Sequence, residues 1–360
     1  MRGLLLGGAA LSLWCGLARA DEEPLDPPPK PDLSAGFGVR TSFRAQQHAA
    51  PGGATSKDPE LESARLYLAG KLDPHFSATL DLDFTTLSDS TGRDVQPVRV
   101  LDAIAELRVA EELHVWAGRL LPPSDRANLN GPYFQLGWDY PFVSAYPSIY
   151  GGRDNGLAIW GDIAKGLFKY QVGAFQGRSG APNDGDQLMY AGRLQLDLLD
   201  AEPGYYTQDT YHGKKDVLAV GFAMQGQKDG AGVAGQPRSF VGFSVDALFD
   251  YRLPADLVLT LEATLHHYDS ARSAAEMKTG PDGTGVLAQG GLLLPTLGWG
   301  RLQPVVRYQH LAPQSRWEAG LNYVLKGHLA RVSAHYYHLE DDAAARGAHG
   351  VILGAQIQVL

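Results

Sequence analysis

Apolar and polar residues alternate over many short stretches of the chain. Along residues 76–84 every second residue is apolar, from Phe76 to Phe84, and the residues between them are Ser, Thr or Asp. The same period of two returns at residues 101–109 and at residues 257–265. This period gives a strand one apolar and one polar face. The pattern therefore predicts an all-β fold built of two-faced strands.

The first twenty residues look like a secretion signal. Arg2 supplies a positive start, residues 4–17 are mostly apolar, and Ala18-Arg19-Ala20 fits a cleavage site before Asp21. A membrane anchor is the alternative, but the apolar stretch is short for a spanning helix. Cleavage would remove Cys15, which is the only cysteine, so we predict neither disulfides nor Cys-ligated metals in the mature chain.

The remaining sequence lacks any run of about eighteen apolar residues that a membrane-spanning helix would need. A closed barrel can still cross a bilayer, because its strands satisfy their backbone hydrogen bonds with one another. We therefore predict a transmembrane antiparallel up-and-down β-barrel of about sixteen strands over residues 35–360. Residues 21–34 are acidic and Pro-rich, and we interpret them as a periplasmic leader or as a terminal tail without a role.

The links between these strands alternate between short and long, as in outer-membrane barrels. The longest link, residues 121–153, follows the fifth strand and is rich in Pro, Tyr and Trp. Its length predicts a functional loop rather than a simple turn. Aromatic residues near strand ends predict girdles at the membrane interfaces, and they are Tyr205, Tyr206, Tyr211, Tyr268, Tyr336 and Tyr337.

Five segments resemble the phosphate-selective porin O/P family. They are residues 115–124 (VWAGRLLPPS), 152–157 (GRDNGL), 170–177 (YQVGAFQG), 202–206 (EPGYY) and 211–221 (YHGKKDVLAVG). The resemblance implies a sixteen-stranded outer-membrane porin, often trimeric, whose third extracellular loop narrows the lumen. Residues 121–153 correspond to that loop. Two features depart from the family: the chain ends in Val359-Leu360 rather than in an aromatic residue, and the predicted lumen carries both charges.

If the apolar faces contact lipid, the intervening residues line the lumen. Guanidinium groups match phosphate oxygens, so the candidate anion-binding residues are Arg119, Arg126 and Arg153 beside the long loop and Arg40, Arg65, Arg108, Lys169 and Arg193 on the wall. Alternatively, Arg126 and Arg153 pair with Asp125 and Asp154 and pin the loop. The loop aromatics form either a sugar-stacking path or a small core, and they include Tyr133, Trp138, Tyr140 and Tyr146.

The sequence thus predicts a porin of the bacterial outer membrane for passive diffusion of small hydrophilic solutes, such as the anion phosphate. The expected partners are outer-membrane lipid, the barrel-assembly machinery and two further copies in a homotrimer. The net charge of −9 argues against nucleic acid. We predict no cofactor, no metal and no enzymatic activity. Two alternatives stay open, namely a scaffold or adhesion barrel with a closed lumen and a hydrolase using a set such as Ser333, His335 and Asp341.

Overall fold

The computed structural model describes residues 32–48, 53, 55–85, 87–88, 94–95, 98–148, 151–270, 282–342 and 346–360. The predicted signal peptide and most of the predicted leader lie outside these residues. Among the described residues, no helix has the length and apolar character that crossing a membrane requires.

Sixteen strands follow one another along the chain. They are β1 (Asp32–His48), β2 (Thr55–Lys71), β3 (Phe76–Asp83), β4 (Arg99–Ala110), β5 (Leu113–Leu120), β6 (Asp154–Ile163), β7 (Phe168–Phe175), β8 (Met189–Asp197), β9 (Val217–Val233), β10 (Gln236–Leu253), β11 (Leu257–Asp269), β12 (Gly283–Leu293), β13 (Gly300–Leu311), β14 (Gln314–Val324), β15 (Ala330–Asp341) and β16 (Arg346–Val359).

Each strand pairs antiparallel with the next, and β16 returns to pair with β1, where Phe37 lies opposite Val359. The ring is therefore closed, and the predicted sixteen-stranded barrel is confirmed. A further two-residue strand, Thr296–Leu297, pairs with the start of β13. Two more short strands, Leu87–Ser88 and Asp94–Val95, pair with each other outside the barrel sheet. The first strand begins at Asp32, so the last residues of the predicted leader belong to the barrel.

The two faces of the wall are reversed relative to a soluble protein. Large apolar side chains stand on the outer face, where Phe37 is 48% and Phe222 is 44% exposed. Polar side chains such as Gln225 and Ser244 point inward and are buried. An outer apolar face and an inner polar face are what a barrel in lipid requires. The predicted assignment of the two strand faces therefore agrees with the structure.

The barrel has two different edges. The edge that carries Asp32 and Val359 is called the turn side here, and the opposite edge is the loop side. The connection of residues 121–153, called the inserted loop, leaves the loop side and folds into the lumen. It contains the one short helix of the described residues, α1 (Arg126–Asn130), whose first turn is capped by the Asp125 carboxylate accepting from the Asn128 N–H.

A second connection also enters the lumen, and the sequence did not predict it. Residues 198–216, called the turn-side insert, join β8 to β9 and pack against the inserted loop. Tyr205 in this insert is 2% exposed, and its hydroxyl donates to the Leu121 carbonyl at 2.7 Å. The predicted interfacial position of Tyr205 is therefore wrong, and so is that of Tyr268, whose hydroxyl donates to the Val143 carbonyl. Both hydroxyls satisfy loop backbone inside the barrel.

Candidate functional site

Wall arginines hold the inserted loop through its backbone. Arg40 donates to the Trp138 carbonyl at 2.7 Å and also to the Pro132 carbonyl. Arg331 donates to the carbonyl of Gln135, and Arg307 to the carbonyl of Asp139, each at 2.7 Å. Because charged donors make stronger hydrogen bonds than neutral ones, these contacts fix the loop in the lumen. Arg40, a candidate for anion binding, is thus occupied by the protein itself.

The tip of the inserted loop is held by Trp138 and Asp139. Trp138 is 1% exposed, its indole N–H donates to Glu62 at 2.9 Å, and the Arg40 guanidinium lies 4.0 Å from its ring centre. Asp139 accepts from Arg44 and from Arg316 at 2.6 Å each. Burial alone would raise the pKa of Asp139, but Arg316 and Arg44 outweigh it and lower the pKa to about 2.

Arg126 joins the inserted loop to the turn-side insert. Its guanidinium binds the Glu202 carboxylate with both terminal nitrogens, at 2.8 and 2.5 Å, and both side chains are fully buried. The expected pairing with Asp125 is wrong, because that carboxylate caps α1 and accepts from Ser144 at 2.7 Å. A forked guanidinium facing a carboxylate is the strongest side-chain pairing available to arginine. Arg126 therefore docks the turn-side insert onto the inserted loop.

Arg153 also has a carboxylate partner that differs from the expected one. Its guanidinium binds Asp102 of β4 at 3.0 and 3.2 Å, whereas Asp154 accepts from the backbone of Asn155 and Gly177. The carboxylate partner was expected one residue away in the sequence, and β4, which lies two strands from β6 in the barrel wall, supplies it instead. The alternative in which these arginines pin the loop thus fits the observed contacts.

The other cationic candidates lie apart. Arg193 binds Asp246 at 2.5 and 2.8 Å and is buried. Lys169 is 1% exposed, and in the described part of the chain its amine has no hydrogen-bond partner. Arg108 lies at the turn-side end of β4, half exposed and 3.7 Å from Glu111. The register of β5 and β6 pairs Arg119 with Asn155 on the same face as the exposed Leu157, so Arg119 points away from the lumen.

A cavity of about 370 Å³ remains between the inserted loop, the turn-side insert and the wall formed by β2, β3 and β16. It is lined by Arg65, Tyr67 and Asp81 of the wall, by Tyr133 and Arg153 of the inserted loop, and by Tyr205 and Tyr206 of the turn-side insert. The lumen-facing side chains of the wall are partly exposed here, whereas the lumen-facing side chains of β8 to β11 are buried. Of the eight cationic candidates, only Arg65 and Arg153 line this cavity. Arg65 has no carboxylate within ion-pair distance among the residues described.

The aromatic side chains of the inserted loop pack within the protein and do not form a sugar-stacking path. Tyr133 donates to Ser63 at 3.1 Å, Tyr140 to Asn128 at 2.9 Å and Tyr146 to Ser244 at 3.0 Å. Each hydroxyl is thus committed to the protein, and of these residues only Tyr133 lines the cavity. Buried tyrosines commonly place an apolar ring in a core and bond the hydroxyl. The small-core interpretation therefore describes these residues better than a sugar-stacking path does.

The suggested hydrolase set does not assemble. His335 lies 2.8 Å from Glu318 and 3.0 Å from Asn322, and Ser333 donates to the same Asn322 oxygen at 2.7 Å. The serine hydroxyl thus bonds an amide oxygen and not the imidazole. Asp341 ends β15, several residues further along the strand. A nucleophile needs its base within hydrogen-bond reach, and the contacts of Ser333 do not include one.

A closed sixteen-stranded barrel with a loop folded into its lumen is the architecture of the porins. An anion-selective porin from Comamonas acidovorans shares 13% identity over 92% of this chain and 100% of its own, with a TM-score of 0.58. OmpF of Salmonella typhi, solved with daunomycin, shares 13% identity over 90% of this chain and 97% of its own, with a TM-score of 0.56. The trimer form of OmpT, an outer membrane protein of Vibrio cholerae, shares 10% identity over 91% of this chain and 99% of its own, with a TM-score of 0.52.

At these identities the likeness concerns the fold alone. No family model matches the sequence. No curated protein matches it either. The likeness to these solved porins supports the general porin architecture expected from the sequence. The phosphate-selective O/P subtype stays a prediction.

Proposed function

We propose that this chain forms a water-filled channel in the bacterial outer membrane through which small hydrophilic solutes diffuse, with a preference for anions such as phosphate. The proposal rests chiefly on the cavity of about 370 Å³ that the two inserts leave beside β2 and β3. The apolar outer face of the barrel suits the surrounding lipid. The turn side, with its mostly short connections, the start of β1 and the end of β16, then faces the periplasm.

The anion preference depends on few charges. Arg126, Arg153 and Arg193 each bind a carboxylate, so most of the cationic charge in the lumen is balanced locally. Arg65 lines the cavity without such a partner in the described residues, and the Asp81 carboxyl group lines it as well. A narrow passage in a low-dielectric wall concentrates the field of the few charges beside it. Arg65 is therefore the residue on which we expect selectivity to depend.

The test is conductance of the mature chain in a planar bilayer under a KCl gradient. We expect discrete ohmic steps and a reversal potential that lies closer to the equilibrium potential of chloride than to that of potassium. We also expect phosphate to reduce the chloride current. Arg65→Gln should move the reversal potential toward zero. Arg108→Gln, at the half-exposed rim, is the matched control and should leave it unchanged. Steps without anion preference would leave a general porin, and an absence of steps would favour a scaffold barrel with a closed lumen.

Assembly as a homotrimer and insertion by the barrel-assembly machinery belong to the same proposal. Support comes from the trimer form of the Vibrio cholerae protein, whose barrel this chain resembles in fold. Mass measurement by light scattering in detergent should give three chains per particle. A particle of one chain would remove the trimer from the proposal and leave the channel intact.

A further inference from the structure

Two histidines meet where the turn-side insert touches the barrel wall. His212 lies in the insert, and His328 lies in the turn between β14 and β15. Their ring centres are 4.6 Å apart at an angle of 64°. His328 Nε2 lies 2.8 Å from the Thr210 carbonyl of the insert. The His328 carbonyl in turn accepts from the side chains of Gln356 and Gln358 of β16, at 2.8 and 3.1 Å. His328 therefore links the insert to the closing strand of the barrel.

Each imidazole keeps one nitrogen without a hydrogen bond. In the described structure, His212 Nε2 and His328 Nδ1 are buried and have no partner. The charged groups that act on the pair are Lys214 of the insert, Arg301 of β13 and Arg331 of β15, and all three are cations. The inserted loop contributes Phe134, whose ring centre is 5.0 Å from that of His328. An added proton on either ring would face positive charge, and on His328 only the backbone groups of Thr210 and Tyr133 would favour it.

Two carboxylates that flank this contact in the sequence of the insert and in β10, Asp209 and Asp250, already accept hydrogen bonds from other groups. Asp209 accepts from the Leu136 N–H and from Gln289, at 2.6 and 2.8 Å. Asp250 accepts from the Tyr211 N–H at 2.7 Å and from Thr260 at 2.6 Å. Neither carboxylate forms an ion pair with the two imidazoles. Docking of the insert therefore favours neutral histidines.

Burial, together with the neighbouring cations, lowers the pKa of His212 well below 6.5 and that of His328 to about 4. A released insert would expose His328 to water and return its pKa toward 6.5. Because the docked pKa is the lower one, docking is strongest above pH 6.5 and weakens as the pH falls. At pH 5 the protonation of His328 alone shifts the equilibrium about 30-fold toward the released insert.

We propose that the turn-side insert is an acid-sensitive gate, in which protonation of His212 and His328 separates the insert from the β14–β15 turn and widens the passage lined by Tyr205 and Tyr206. The effect on solute flow rests on the proposed channel function. The movement of the insert does not, and it is measured separately.

The movement is measured as a distance between spin labels at Lys215→Cys in the insert and Lys326→Cys in the turn, on the folded full chain with Cys15→Ser. We expect one short distance at pH 7.5 and a second, longer population at pH 5. His328→Gln keeps a donor for the Thr210 carbonyl but cannot gain a charge, so its longer population at pH 5 should be smaller than that of the native chain. With His212→Gln added, the distance should not change with pH. His338→Gln is the matched control, because that side chain is partly exposed and lies on the far half of β15. It should behave as the native chain does.

Conductance at pH 7.5 and at pH 5 on the turn side is recorded with the same proteins. A larger step at pH 5 that His328→Gln reduces, and that the double variant with His212→Gln abolishes, supports the gate. An unchanged label distance in the native chain at pH 5 overturns it, and so does an equal response of His328→Gln. If His328→Gln fails to fold, His212→Gln takes its place and should likewise reduce the longer population at pH 5 without removing it. A distance change without any conductance would refute the channel function and leave the acid-sensitive movement of the insert. Conductance steps without a distance change would support the channel function and refute the movement.

Discussion

Removing the Glu202 carboxylate should release the turn-side insert. Glu202 accepts from both terminal nitrogens of Arg126, from the Tyr211 hydroxyl at 2.5 Å and from Gln195 at 2.9 Å. Burial alone would raise the pKa of Glu202, but Arg126 outweighs it and lowers the pKa, so the carboxylate is charged at neutral pH. Breaking a buried ion pair by removing one partner costs about 3–5 kcal/mol, because the other charge stays buried. Glu202→Ala should weaken docking by that amount.

Hydrogen exchange of the peptides that cover residues 198–216 measures this change. The Glu202 N–H donates to Asp197 and the Gly204 N–H to Asp162, each at 2.9 Å, while the Tyr211 N–H donates to Asp250. These amides should exchange only when the insert opens. A loss of about 3–5 kcal/mol speeds their exchange by a factor of roughly 100 to several thousand. The barrel strands should exchange as before.

Asp216→Asn supplies the matched control at the end of the same insert. It removes a pair with Arg252, whose side chain is 55% exposed. Exposed ion pairs contribute little to stability, so the exchange of residues 198–216 should stay unchanged. If Glu202→Ala accelerated exchange less than tenfold, or if Asp216→Asn matched it, the Arg126–Glu202 pair would not be the contact that docks the insert.

Three further predictions concern the inserted loop. A Cβ at Gly354 would lie 2.4 Å from the Trp138 ring, so Gly354→Ala should lower the melting temperature, while Gly226→Ala, with 3.6 Å of room, should not. Trp138→Ala should cost about 3–5 kcal/mol in denaturant unfolding, and a loss below 1 kcal/mol would contradict its role as the loop anchor. Asp139 should stabilise loop docking fully above pH 3.8 and lose its effect as the pH falls through about 2, so acid titration of Asp139→Asn should lack that transition.

The barrel itself could be predicted because strand alternation is a local property. Every second residue from Phe76 to Phe84 is apolar, and the lipid selects that face irrespective of the rest of the fold. The long link of residues 121–153 was equally visible, since length alone distinguishes it from a turn. The same signal was available but not used at residues 198–216, which separate the strand ending at Asp197 from the strand beginning at Val217. The tyrosines of this insert were predicted to lie at the membrane interface, because the sequence alone does not distinguish a hydrated barrel rim from a hydrated lumen.

Side-chain pairing could not be predicted, because it depends on strands that are distant in sequence. Arg126 has an acidic neighbour in Asp125, yet it binds a carboxylate 76 residues away. Arg119 follows Gly118, whose backbone φ of 129° marks an irregular end of β5, and its side chain points outward. Counting charges at alternating positions therefore identified arginines on the strands but did not identify the carboxylates that they bind.

The anchoring of the inserted loop implies an order of events during folding. Arg40 of β1 and Arg331 of β15 both hold this loop, and Gln356 of β16 donates to its Tyr133 carbonyl at 3.0 Å across 223 residues of sequence. These groups come together only when the first and last strands have paired. Contacts between distant parts of a chain form late, because closing a long loop costs entropy first. We therefore expect the barrel to close around an open lumen first, and the inserted loop to fold into that lumen afterwards.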